Sequence, residues 1–241
     1  MSTVDTNKWV NEVMTKEFPL GNFRDNTEAA PVERPVSDFR KETLDKLFGA
    51  TEETHPAQEP LPDVQVKIAG FGGQGVLSLG TMIAQAGLSV GRTVSWYPSY
   101  GPEQRGGTSN CSVTLATHEI GSPVIYHPDV LVAMNRPSLD KFKDEVKKGG
   151  VIVYDAVMGT QEMPEGVRGI AVPAQQLAEE GGNPKGANTV MFGLLAALGV
   201  TRLPAVAFSN ALAASFAKRP QLVPVNEHLL EYVRQWAEKN A

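Results

Sequence analysis

The residues best placed to do chemistry form a glycine-rich run, Gly70-Phe71-Gly72-Gly73-Gln74-Gly75, set between an apolar segment that reads as a strand, Val64 to Ala69, and one that reads as a helix, Val76 to Val90. This is G-x-G-x-x-G in strand-turn-helix context. Residues without side chains permit a tight turn and let backbone amides approach an anion at a helix N-terminus, so the run has the shape of a phosphate cradle. The same glycines also suit close packing of the helix on the strand, or of a partner on the turn. A nicotinamide dinucleotide needs a carboxylate at the end of the second strand to accept its ribose hydroxyls. Thr93-Val94-Ser95-Trp96-Tyr97-Pro98 stands there and has none. No G-x-x-x-x-G-K-[ST] loop occurs either, which removes the P-loop nucleoside triphosphatases.

A second polar run, Ser99 to Asn110, is punctuated by Gly101, Pro102, Gly106 and Gly107 and precedes an apparent strand over Cys111 to Ala116. Within it Glu103 and Arg105 could pair with each other, bind a ligand or face solvent. Cys111 is the single cysteine, and with no histidine near it in sequence it reads as a small buried residue rather than a nucleophile. One thiol closes no intrachain disulfide and holds neither a four-thiolate zinc nor an iron–sulfur cluster, which favours a reducing compartment and places any redox metal on another chain. The four histidines, His55, His118, His127 and His228, show no metal-ligand spacing, so no metal is assigned. Asp155, directly after an apolar strand, reads as a turn or helix cap.

Groups of this kind must be held by regular elements, and the apolar pattern supplies them. Strands are expected at 64–69, 111–116, 129–134, 151–154 and 169–172, mostly continuous apolar runs of the sort covered on both faces. Helices are expected at 76–90, 137–147, 188–198, 203–218 and 227–238, the last with Asn226 as its N-cap. Alternation of the two gives an α/β fold with a mostly parallel sheet and flanking helices.

The 241 residues divide unevenly. Residues 1–62 hold twelve acidic and seven basic side chains and so carry the whole formal charge of −5, whereas 21 of the 23 glycines lie beyond them. We expect an extended, acidic N-terminal arm over 1–62 and an α/β domain over 63–241. Pro19, Pro31, Pro35, Pro56 and Pro60 restrict the arm to short helices, the best over 38–48. Trp9, Phe18, Phe23, Phe39 and Phe48 suggest an arm that wraps its own domain or a partner subunit. No basic excess marks a nucleic-acid surface, and no basic amphipathic helix marks a membrane. The longest nearly apolar run, Val190 to Val200, is too short to span a bilayer, and the first residues lack a secretory pattern, so a cytoplasmic protein is expected.

Taken in order, Gly70-Phe71-Gly72-Gly73-Gln74-Gly75, Ser99-Tyr100-Gly101-Pro102-Glu103-Gln104-Arg105-Gly106-Gly107, Asn110-Cys111-Ser112-Val113, Gly121-Ser122-Pro123 and Asp129-Val130-Leu131-Val132-Ala133-Met134-Asn135 resemble the gamma subunit of the 2-oxoacid:ferredoxin oxidoreductases. The likeness covers about residues 64–240, and the acidic arm departs from it. It implies a Rossmann-like gamma-subunit fold and a part of an enzyme rather than a whole one. Such enzymes use thiamine diphosphate with magnesium to decarboxylate a 2-oxoacid oxidatively, send two electrons through [4Fe–4S] clusters to ferredoxin, and transfer the acyl group to coenzyme A. The resemblance implies partner subunits that bind thiamine diphosphate and a cysteine-rich partner that holds the clusters.

Under that resemblance Gly72, Gly73, Gln74 and Gly75 offer donors to the pyrophosphate of coenzyme A. Arg105 could reach a phosphate, and Tyr97 or Tyr100 could stack on the adenine. Asn135 follows a strand and so lies where open parallel sheets bind ligands, with Lys185 and Asn188 near the same crevice. A structural or interface role stays open for Arg105, Asn135, Lys185 and Asn188. Two other readings stay open for the chain: a dinucleotide-binding oxidoreductase domain and a purely structural interaction subunit.

Overall fold

The computed structural model describes residues 62–100 and 108–240; Arg105 and the expected helix over 38–48 lie outside them. Strand β1 (Val64–Phe71) leads through the glycine turn into helix α1 (Val76–Ser89), then β2 (Thr93–Tyr100), β3 (Thr108–Ala116) and β4 (Val130–Ala133). Helix α2 (Arg136–Phe142), β5 (Val151–Asp155), β6 (Arg168–Val172) and α3 (Ala174–Glu180) follow, and α4 (Ala187–Ala197), α5 (Ala205–Ser215) and α6 (Val223–Asn240) complete the chain. Among the described residues no helix is long and apolar enough to cross a membrane.

The six strands form one sheet in the order β2-β3-β1-β4-β5-β6. Pairings β1–β4, β4–β5 and β5–β6 are parallel, as the continuous apolar runs led us to expect. Strand β3 runs against its neighbours and lies between β1 and β2. The expected strand at 111–116 therefore begins at Thr108, where the polar Thr108-Ser109-Asn110 pairs with Phe71-Gly70-Ala69.

Side-chain alternation divides the core. Val66 and Ile68 of β1, Cys111 and Val113 of β3 and Val130 and Val132 of β4 face a layer that contains residues of α1, α3, α4, α5 and α6. Ala69, Leu131, Ala133, Ile152 and Tyr154 face the other way, against Leu139 and Phe142 of α2. Lys67 also faces that way and is buried. Its charge is met by Glu145 Oε2 at 2.7 Å and by the Phe142 ring, whose centroid lies 4.5 Å from Nζ.

Two helical expectations change. Asn226 does not cap α6 but lies inside it, donating from Nδ2 to Leu222 O at 2.7 Å and accepting from Asn183 Nδ2 at 2.9 Å. The helix expected over 137–147 leaves α geometry after Phe142 and tightens into a 3₁₀ turn over Lys143–Glu145. Asp155 caps as expected, its Oδ1 accepting from Val157 N at 3.1 Å.

Candidate functional site: the switch point between β1 and β4

Helix α1 carries the chain from β1 toward the β2 edge over one face, while α2 carries it from β4 toward the β6 edge over the other. The connections diverge between β1 and β4, and the crevice outside the carboxyl ends of two such strands is where open α/β sheets bind ligands. The turn Phe71–Gly75 and the segment Met134–Asn135 border it.

The glycines of the turn do different work. Gln74 N donates to Phe71 O at 3.2 Å, closing a four-residue turn whose third position, Gly73, has φ +97°. A Cβ on Gly73 would meet nothing within 4 Å, so this glycine answers to backbone conformation and to the open space before it. Gly75, with φ +79°, is the N-cap of α1, and a Cβ there would lie 3.0 Å from Asn188 Cβ and Nδ2.

That contact brings two helix starts together, because Asn188 is the second residue of α4. Neither helix has a side-chain cap or an acidic residue in its first turn. Among the described residues none accepts from the amides of Gly72, Gly73 or Gly75. The positive ends of a 14-residue and an 11-residue helix thus converge with their amides available, an arrangement that favours an anion. Lys185 is exposed three residues before Asn188, its own amide held by Asn183 Oδ1 at 3.3 Å.

Gln74 and Asn135 are tied to each other and to the backbone around the crevice. Gln74 Oε1 accepts from Phe71 N at 2.7 Å and from Asn135 Nδ2 at 3.1 Å, and its Nε2 donates to Met134 O at 2.8 Å. Asn135 Oδ1 accepts from Ser138 N at 2.9 Å and so caps α2. Each side chain is engaged within the protein, with one of its two amide N–H groups used. Tyr97 pairs with Ser112, which pairs with Lys67, so alternation sets it on the face opposite α1. Tyr100 ends β2 in the row Tyr100–Ser109–Gly70, at the carboxyl edge that bears the glycine turn.

Two features escaped sequence reasoning. The Asn183–Asn226 pair anchors the approach to α4, and Gly186 N closes the turn onto Asn183 O at 2.7 Å. The uncapped start of α4 left one sequence signal, the absence of Ser, Thr, Asp or Asn at Gly186. Cys111 is fully buried as expected, burial pushing its thiol up to about 12, and Sγ donates to Val76 O at 3.6 Å. No group of three or more His, Cys, Asp or Glu suited to a metal occurs among the described residues.

An open α/β sheet with two uncapped helix starts meeting at its switch point gives a fold of Rossmann type, but one in which β3 separates β1 from β2 and so departs from the adjacent strands of a dinucleotide half. The chain belongs to the pyruvate ferredoxin/flavodoxin oxidoreductase family, whose model matches residues 65–236. It is 46% identical over 239 residues to ketoisovalerate oxidoreductase subunit VorA of Methanothermobacter marburgensis, a match that covers 97% of this chain and 50% of the relative. It is 37% identical over 138 residues to 2-oxoglutarate synthase subunit KorC of Methanocaldococcus jannaschii, covering 56% of this chain and 74% of that one. The chain spans about half the length of the VorA relatives it matches.

Among solved structures, it resembles the 2-oxoglutarate:ferredoxin oxidoreductase of Magnetococcus marinus with 2-oxoglutarate, coenzyme A and succinyl-CoA bound. There the TM-score is 0.66 and the identity 26%, over 76% of this chain and 32% of that one. The keto/oxoacid ferredoxin oxidoreductase gamma subunit of Geobacter sulfurreducens gives a TM-score of 0.60 at 27% identity, over 73% of this chain and 99% of that subunit.

Proposed function

We propose that this chain is the gamma component of a multisubunit, thiamine diphosphate-dependent 2-oxoacid:ferredoxin oxidoreductase and binds the pyrophosphate of coenzyme A at the switch point. The observation that carries the binding role is the meeting of the uncapped starts of α1 and α4 at Gly75 and Asn188. Amides of Gly72, Gly73 and Gly75, with those at the start of α4, face the anion, while Lys185 adds a mobile charge. The donors available here are amides and an ammonium, which suit a diphosphate.

The same residues do not fit the redox cofactors. Cys111, the only cysteine in the sequence, is buried behind Trp96 and α1 and cannot ligate a cluster. The [4Fe–4S] clusters and thiamine diphosphate belong, on this reading, to partner subunits. The chain's work is to hold one reactant in place for chemistry performed beside it.

Coenzyme A titrated calorimetrically into the assembled enzyme tests this reading, with 2-oxoisovalerate as the first substrate for the parallel activity assay. Gly73→Ala adds a methyl group where the anion would approach and should weaken coenzyme A about tenfold or more without changing subunit composition. An unchanged dissociation constant in a normally assembled enzyme would refute it.

A further inference from the structure

Gln74 borders the switch point with both ends of its side chain engaged by the protein. Its side chain spans the crevice: one end accepts from Phe71 N at 2.7 Å and Asn135 Nδ2 at 3.1 Å, and the other donates to Met134 O at 2.8 Å. Asn135 then carries the connection to α2 through Ser138 N at 2.9 Å. The residues joined lie 60 and 61 positions apart in sequence. Because Gln74 N also bonds Phe71 O, Phe71 and Gln74 clasp each other twice, with only Gly72 and Gly73 outside the clasp. A glycine pair has more backbone freedom than any other, and an anion site built from its amides is useful only when that freedom has been removed beforehand.

We infer that Gln74 is a positioning residue for coenzyme A: it locks the Gly72-Gly73 amides into their binding conformation and ties that conformation, through Asn135, to the start of α2. The inference rests on the coenzyme reading of the turn and adds to it a residue that never touches the ligand. Gly70 fits the same account, since a Cβ there would lie 2.8 Å from Val76 Cγ2 and 2.9 Å from Gln74 Oε1, displacing the amide from its seat.

The hydrogen-bond pattern gives the inference a specific signature. The Gln74 amide uses two acceptances on oxygen and one donation from nitrogen, a pattern that a protonated glutamic acid reproduces and an ionised glutamate does not. In Gln74→Glu the ionised side chain turns an oxygen toward Met134 O, while the protonated one restores the bond. Among the described residues the charged groups on the flanking elements are Lys67 of β1, held by Glu145, Arg136 of α2, held by Asp140, Lys141 of α2, over the Phe142 ring, and the exposed Lys185 before α4. Asn135→Asp is the companion variant: it keeps the oxygen that caps α2 but sets an acceptor against Gln74 Oε1.

The dissociation constant of coenzyme A for assembled Gln74→Glu enzyme, divided by that of wild type at the same pH, cancels titration of the coenzyme's own phosphates. The ratio is expected to be about tenfold or more at pH 8, the equivalent of one buried hydrogen bond lost, and to fall toward one as the pH is lowered through the titration of the introduced carboxyl. Asn135→Asp should weaken binding at pH 8 while α2 keeps its amide-exchange protection. A ratio that stays flat across the pH range, whether at one or raised, overturns the inference. Hydrogen exchange at Gly72 to Gly75 without ligand separates the two readings. If wild type binds no coenzyme A but the variant's turn still gains protection on acidification, the coenzyme reading falls and the positioning role of Gln74 stands; if protection is independent of pH, the positioning role falls as well.

Discussion

Gly73 and Gly75 share a positive φ but not an environment, so the same substitution should have different consequences two residues apart. An L-residue in the left-handed region costs about 1–2 kcal/mol, offset by a few tenths to 1 kcal/mol because alanine restricts the unfolded chain. Gly73→Ala meets no atom within 4 Å, so a loss of about 1 kcal/mol is expected. Gly75→Ala bears the same backbone cost and adds a methyl group 3.0 Å from Asn188 Cβ and Nδ2 and 3.1 Å from Cγ. Overpacking of this kind costs roughly 1–3 kcal/mol, bringing the total to about 2–4 kcal/mol. Asn188→Ala removes Nδ2 and Cγ but leaves Cβ, so a double-mutant cycle with Gly75→Ala should recover about 1 kcal/mol, and one with Gly73→Ala nothing. Urea unfolding of the full chain, followed by tryptophan fluorescence, measures all five variants. Equal losses for the two single glycine variants, or coupling between Gly73 and Asn188, would show that the α1 and α4 starts do not meet as described.

Four further expectations concern the frame around the site. The Cys111 thiol, pushed up to about 12 by burial from 9.0, keeps its proton in the fold when the unfolded chain has lost it; stability from this source is present below pH 9, declines between pH 9 and about 12, and should decline less in Cys111→Ala. The same thiol should react with an aromatic disulfide reagent only as fast as the domain opens, which a comparison of native and urea-unfolded labelling rates measures. Gly80→Ala would set a Cβ 2.4 Å from Cys111 Sγ and 2.9 Å from Trp96 Nε1, and should lower the denaturation midpoint by an equivalent of about 1–3 kcal/mol with a shift in Trp96 emission. Glu145→Gln removes the countercharge of the buried Lys67 cation and leaves it a neutral amide oxygen and the Phe142 ring; since the Glu145 side chain is 37% exposed, the loss should be about 1–2 kcal/mol by urea titration rather than the value for a fully buried pair.

Which elements could be read in advance follows from how each buries its side chains. Strands β1, β4 and β5 are covered on both faces along most of their length, and α4, α5 and α6 carry apolar positions toward the core, so periodicity marks them all. Helix α3 was missed because its exposed Gln175, Gln176, Glu179 and Glu180 outnumber Ala174, Leu177 and Ala178, which face the core. The beginning of β3 was missed because Thr108, Ser109 and Asn110 look like loop residues, and their place in the sheet depends on pairing with a strand that ends at the glycine turn. The turn itself was legible, since φ near +97° and +79° is a local demand that glycine answers locally. The parts of Gln74 and Asn135 were not legible: a glutamine beside a phosphate-type loop looks like a ligand contact until the backbone carbonyl it meets, 60 residues away, is in place.

The direction in which the cradle faces bears on what the domain can contribute. Coenzyme A carries its pyrophosphate near the nucleoside and its thiol at the far end of an extended pantetheine arm, so phosphates held at the carboxyl edge of β1 leave the thiol to act elsewhere. The side chains around the cradle agree with that division. Gln74 and Asn135 are committed to each other, Asn188 to the space beside Gly75, and Cys111 is buried behind α1. A site that performed acyl transfer alone would need an acid–base group within hydrogen-bond reach of the thiol. On the reading proposed above, backbone donors fixed by Gln74 would hold the coenzyme's phosphates while its thiol acts at a neighbouring active site.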